Sequence, residues 1–211
     1  MSGRPQTLGE EIANSVSHGL ALLAALVAAP FLIAAARDLE AASLVGTIVF
    51  AATMVLLYLA STLYHALPLG RAKRVFMKLD HGAIYLFIAG SYTPFALGIL
   101  GGPWGWTLFG LVWALAVMGV ALKAFDRLWH PWLSTGLYLV MGWLVLIAAE
   151  PLVERMPSAG ITLLVAGGLA YTAGVLFFAL DSRWRYAHAV WHGFVVAGSG
   201  CHFFAVLNYA A

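Results

Sequence analysis

The sequence predicts an all-α fold, a single domain over residues 1–211 built as a bundle of seven transmembrane helices, N-terminus cytoplasmic and C-terminus outside. Three observations predict it. The chain is 63% hydrophobic and 9% charged, far from the roughly 25% charged residues of a soluble domain, and its mean hydropathy is +0.91. The apolar residues gather into seven runs that each approach the ~20 residues needed to cross a bilayer. Lysine and arginine, finally, crowd into alternate connections between those runs.

Taken in order, the runs extend from Ser15 to Ala36, Ala42 to Leu67, Leu79 to Leu100, Trp104 to Phe125, Pro131 to Ala149, Gly160 to Leu180 and Tyr186 to Asn208. They are too long and too continuously apolar for barrel strands, and only helices or closed barrels satisfy the backbone in lipid. The first run ends in Ala34-Ala35-Ala36, as a secretory signal would, yet it exceeds the h-region of about 7–15 residues. Glu10 and Glu11 also precede it where positive charge is expected, so it is taken as a retained span. Pro94 is expected to bend the third helix. Trp104, Trp106, Trp129, Trp132 and Trp184 fall near run ends, where amphipathic rings settle at headgroup level.

Orientation follows from basic residues. With the N-terminus inside, Arg4, Arg71, Lys73, Arg74, Lys78, Lys123, Arg127, Arg183 and Arg185 are cytoplasmic, nine of the eleven lysines and arginines. Only Arg37 and Arg155 lie outside, which is the positive-inside pattern. The basic loop Arg71 to Lys78 is read as this topology signal, with attraction to anionic lipid as a secondary role. A net charge of only +2 argues against nucleic acid as a partner. The lone Cys201 excludes an internal disulfide and reads as a small apolar filler.

Against this apolar background a few polar groups stand out. His188 and His192 are four residues apart, which places both imidazoles on one helix face about 6 Å apart along the axis. His65 and, one turn before it, Ser61 lie near the inner end of the second helix. Asp80 is placed at the inner start of the third. Three helices thus contribute polar groups at one membrane depth. His65, His188 and His192 make a plausible zinc site with a fourth position left for water, the catalytic rather than the structural pattern. Asp80 would serve as base or proton shuttle, and Ser61 would orient the water or donate to an oxyanion. Glu11, Asn14 and His18 form one polar stripe at the start of the first helix, read as support behind the ligands or a proton route.

Plainer readings stand beside these. The histidines could be interfacial, Asp80 could cap the third helix or pair with Lys78, and Ser61 could bond a carbonyl one turn back. The stripe on the first helix could be the solvated entry of an amphipathic segment. His81 and His130 read as interfacial. His202, ten residues after His192, lies about 15 Å further along the axis, too far to share an ion.

The motifs Ser61-Thr62-Leu63-Tyr64-His65, Lys78-Leu79-Asp80-His81-Gly82 and His188-Ala189-Val190-Trp191-His192, in that order over seven spans, resemble the bacterial hemolysin III proteins of the progestin and adipoQ receptor superfamily. Glu11-Ile12-Ala13-Asn14-Ser15-Val16-Ser17-His18-Gly19 resembles that family's first helix, and Gly90-Ser91-Tyr92-Thr93-Pro94 its third. The resemblance implies Zn2+ on His65, His188 and His192 with Asp80 and Ser61 close by, in a multi-pass protein of the bacterial plasma membrane. It also implies kinship with adiponectin receptors and alkaline ceramidases, hence hydrolysis of a lipid amide or ester drawn from the inner leaflet and a part in lipid homeostasis.

A membrane lipid is therefore the expected substrate or ligand. A sensor with structural zinc and a pore-forming haemolysin remain as alternatives. A retinal protein is excluded because the last lysine is Lys123, and haem suits the closely spaced pair less well than one small ion does.

Overall fold

The computed structural model describes residues 4–127 and 131–210. Among these, seven helical spans are long and apolar enough to cross a membrane, and no strand is present. Trp129 and His130, assigned above to an interface, lie outside the described residues.

The first helix, α1 (Leu8–Ala36), begins at Leu8 rather than Ser15. Its start is fixed by a capping box: Thr7 Oγ1 accepts the Glu10 backbone N–H at 3.4 Å, and the Glu10 carboxylate accepts the Thr7 N–H at 2.9 Å. Glu10, Glu11 and Asn14 are thereby helical, projecting from the first turns of α1. Next, α2 (Ala41–Ala66) matches its apolar run closely.

The third helix, α3 (Arg71–Pro94), corrects the expected boundary by two turns, because the basic segment Arg71 to Lys78 is helix and not loop. Lys73 shows why it winds. Its Nζ donates to the carbonyls of Tyr64 (2.9 Å) and Leu67 (3.2 Å), which are left open at the end of α2. Asp80 consequently sits nine residues into α3 and cannot cap it. After Pro94 the winding loosens into a π-helical stretch, Phe95–Leu100, and stops at Gly101 and Gly102. Both glycines have positive φ, 54° and 51°, which side-chain-bearing residues rarely adopt. The fourth helix, α4, runs over Gly102–Ala124.

The fifth span is broken. It comprises α5 (Pro131–Gly142), a 3₁₀ stretch Leu144–Ala148, and α6 (Ala149–Arg155). A break in a membrane strands backbone groups that lipid cannot satisfy. The Tyr92 hydroxyl, carried in from α3, resolves this: it lies 2.8 and 2.7 Å from the Met141 and Gly142 carbonyls and accepts the Val145 N–H at 2.9 Å. Two more helices complete the bundle, α7 (Ser158–Leu180) and α8 (Ala187–Tyr209).

The most enclosed of the spans is the third, where α3 packs on α2, α4 and α5, while α1 lies between α2 and α8, and α7 covers α8. Small residues permit the closest approach. A Cβ on Gly90 would run into the Thr53 side chain of α2, which is itself pinned to the Val49 carbonyl at 2.8 Å. Leu20, Leu23, Val27 and Phe31 of α1 and Leu176 of α7 face outward, as lipid-contacting residues do. Replacing Tyr92 by Phe leaves the unwound turn of the fifth span without its partner. Thermal unfolding of Tyr92→Phe in detergent should show a loss of about 1–3 kcal/mol, whereas an unchanged melting temperature would mean the turn satisfies itself.

Candidate metal centre

The three histidines converge where α1, α2 and α8 meet. Ring centroids are 5.1 Å apart for His65 and His188, 5.2 Å for His65 and His192, and 4.8 Å for His188 and His192. One nitrogen of each ring lies within 4.8 Å of the others, so the trio could hold a metal ion. His65 and His192 are buried, at 4% and 2% exposure.

Every Nδ1 of the trio already has an acceptor in reach. Glu11 Oε2 lies 2.7 Å from Nδ1 of His65, and Asp181 Oδ2 lies 3.2 Å from Nδ1 of His188. Nδ1 of His192 meets the Ser17 hydroxyl at 3.0 Å and the Asn14 carbonyl at 3.2 Å. Spending the proton-bearing Nδ1 on an acceptor leaves a lone pair on Nε2, the arrangement that orients metal-ligating histidines. Nε2 of His65 is buried without a protein partner, an orphan that a cation would satisfy. Three neutral nitrogen donors and no thiolate suit zinc or another borderline divalent ion.

The residues expected around the trio are found as follows. Asp80 and Ser61 line the same cavity as the three histidines, and the Asp80 carboxyl faces the Ser61 hydroxyl. Ser61 does not turn back to its own helix: its Oγ lies 2.8 Å from Nδ1 of His18. The His18 ring stacks on His192 with centroids 3.5 Å apart and planes 7° from parallel. Asn14 and His18 are buried at 0% and 3% exposure, which removes the solvated-entry reading for both. Lys78, offered above as a partner for Asp80, pairs instead with Asp126 at 2.6 Å. Both plain readings of Asp80 therefore fall away.

Four residues of the centre were not anticipated. Lys73 holds Glu11 at 3.0 Å, and Gln6 bonds Asn14. Ser17 and Asp181 complete the Nδ1 acceptors. Ser17 lies within the first apolar run, one residue before His18 of the polar stripe, and its spacing from that stripe is the signal that could have found it. Asp181 has no such signal, because its approach to His188 depends on the tight turn between α7 and α8.

That turn is locked from outside. Tyr186, just before α8, has a φ of 62°, and its N–H donates to Glu10 Oε1 at 3.0 Å. Arg4 forks onto the same carboxylate at 2.7 and 2.5 Å. The start of α8, which carries two of the three histidines, is thereby fastened to the start of α1.

A family model described as haemolysin-III related matches residues 6–203. The chain belongs to the haemolysin III family. It is 42% identical over 210 residues to Hemolysin-3 of Bacillus cereus, covering 99% of this chain and 95% of that protein. Against the Hemolysin-3 homolog of Bacillus subtilis the identity is 44% over 204 residues, covering 96% and 95%. A more distant relative, the human monocyte to macrophage differentiation factor, is 27% identical over 212 residues, covering 96% and 85%. No solved structure matches. With its seven spans, this haemolysin III chain is a multi-pass bacterial membrane protein.

Glu11 touches His65 from a different helix, so its removal tests whether the Nδ1 acceptors hold a metal centre. Glu11→Ala should lower metal affinity by about 10–100-fold, measured by chelator competition on the purified protein. Unchanged affinity would make Glu11 a packing residue only.

Proposed function

We propose that this haemolysin III protein is a zinc-dependent hydrolase of a lipid amide or ester, drawn from the inner leaflet, and that it contributes to membrane lipid homeostasis. One observation carries the proposal: the three-histidine centre opens into a cavity of about 550 Å³ that is otherwise largely apolar. From Ser61, Asp80 and the histidines it extends past Phe87, Ile88 and Leu164 to Leu100 and Leu152. A histidine trio that served only to tie helices together would have no use for an acyl-sized chamber at its open side.

In this reading His65, His188 and His192 would hold zinc, with Glu11, Asp181, Ser17 and Asn14 fixing the rings. Zinc, when bound there, would supply a Lewis acid and bring the pKa of its water down to about 7. Asp80 carries the chain's own share of the chemistry. Its carboxylate faces the cavity beside Ser61, placed to accept a proton from an attacking water and return it to the leaving amine or alkoxide. The Ser61 hydroxyl is poised to donate to the oxygen that gains charge at the carbonyl. Apolar walls keep the acyl chain in place and bulk water out.

Orientation belongs to the same proposal. With nine of the eleven lysines and arginines on the side where α1 and α8 begin, the centre opens at the cytoplasmic leaflet of the inner membrane. The competing view, a sensor in which zinc joins α2 to α8, draws on the same histidine geometry but assigns Asp80 no task.

Two substitutions separate the views. Purified wild-type protein should contain one zinc per chain by metal analysis, and His192→Ala should lose it. Asp80→Asn should keep the metal while hydrolysis of a lipid panel falls by about 10²–10⁴-fold. Full zinc occupancy in the wild type with no turnover on any lipid amide or ester would sink the hydrolase.

A further inference from the structure

The cavity that holds the histidines is also lined by polar groups of α3, α4 and α5 that the proposed chemistry does not use. Lys123, near the end of α4, lines the cavity, as do His81 of α3 and Ser134 of α5. Among the described residues Lys123 is the one lysine or arginine of that lining. It also has no carboxylate within ion-pair distance among them, although it feels the charges of Asp126 and Asp80. Asp126 is taken by Lys78, which also holds the Ala124 carbonyl at 3.1 Å, and the Asp80 carboxyl faces Ser61.

The neighbours of Lys123 offer donors. Nδ1 of His81 is buried without a protein partner. Ser134 is 4% exposed, with its hydroxyl among those of Tyr85 and Tyr138. Tyr138 spends its own proton on the His81 carbonyl at 2.9 Å, which ties α5 to α3 and fixes the wall. An ammonium group has donors and no acceptor, and half-buried Lys123 has no carboxylate in ion-pair distance among the described residues to neutralise it. Such a lining suits an anion rich in acceptor oxygens. Donors arriving from three different helices match a tetrahedral group better than a planar carboxylate.

We propose that Lys123, His81 and Ser134 form the headgroup subsite of this cavity, and that its ligand is a lipid carrying a phosphate. The phosphate sits on the α3–α4–α5 wall while the acyl portion follows the apolar chamber. This narrows the lipid of the proposed function to a phospholipid. It rests on the cavity holding a lipid but not on hydrolysis.

The test is equilibrium binding to the purified full chain in detergent, using dioctanoyl phosphatidylglycerol and, as the phosphate-free counterpart, dioctanoylglycerol. Lys123→Met should weaken phosphatidylglycerol binding about tenfold or more, with Lys123→Arg restoring most of it and Lys78→Met, at the nearby lysine paired with Asp126, leaving it unchanged. Dioctanoylglycerol should bind all four proteins alike. The proposal is overturned if Lys123→Met binds phosphatidylglycerol as tightly as wild type, if it loses both lipids equally, or if Lys78→Met loses as much. Displacement of the phospholipid by an equal concentration of inorganic phosphate would overturn the lipid as source of the phosphate. If Lys123→Met does not fold, Ser134→Ala takes its place, with the same selective loss expected and equal binding of both lipids overturning the subsite. Metal analysis of the same samples keeps the two proposals apart, because Lys123-dependent binding to a protein without zinc would fail the hydrolase and uphold the subsite.

Discussion

Burying imidazole in a membrane bundle is costly for each ring nitrogen left without a partner, and the architecture around the histidines supplies an acceptor to every Nδ1 of the trio. The acceptors come from separate elements: Glu11, Asn14 and Ser17 from α1, and Asp181 from the turn before α8. Glu11 is in turn held by Lys73 of α3, and Asn14 by Gln6 ahead of α1. Each of these contacts is also a helix-to-helix or segment-to-helix tie. The centre and the packing of its end of the bundle are therefore one network, in which removing a single acceptor both frees a ring and loosens a helix.

The same economy governs the backbone. Where a span is regular, its N–H and C=O groups satisfy one another. Where it is not, a side chain from elsewhere arrives to replace what was lost. Tyr92 serves the unwound turn of the fifth span, Lys73 the end of α2, and Glu10 the left-handed Tyr186 ahead of α8. Two of these three repairs lie beside the histidines, so irregular backbone is concentrated where ligands must be aimed rather than merely packed.

Seven spans were legible from composition and run length, because lipid penalises polar residues over about 20 consecutive positions. The residues His65, His188 and His192 were legible from their spacing and their shared depth, and the structure brings them together. What misled was treating charge as a boundary. Arg71 to Lys78 and Glu10 to Asn14 are polar yet helical, because a helix at the headgroup region can continue among solvated or paired charges. That error placed Asp80 at a helix start, when it lies well inside α3. It also hid Lys73, whose role depends on α3 being longer than its apolar core. Asp181 could not be read at all, since only the turn from α7 to α8 sets its distance from His188.

The division of polar labour across the cavity bears on function more than any single residue does. On the side of α1, α2 and α8, each Nδ1 is committed to an acceptor and the open nitrogens point to a cation. On the side of α3, α4 and α5, Lys123 and His81 present donors that point to an anion. Asp80 and Ser61 line the same, largely apolar cavity. In the proposed reading, a carbonyl held there would have one end of its lipid anchored by charge and the other by hydrophobic contact. Two-ended anchoring of this kind is how a site turns remote binding energy into positioning at the bond to be broken. Under the proposed function, a purely structural metal would require only the first group; the second, lining the same cavity, is what a site for chemistry on an amphiphile would add.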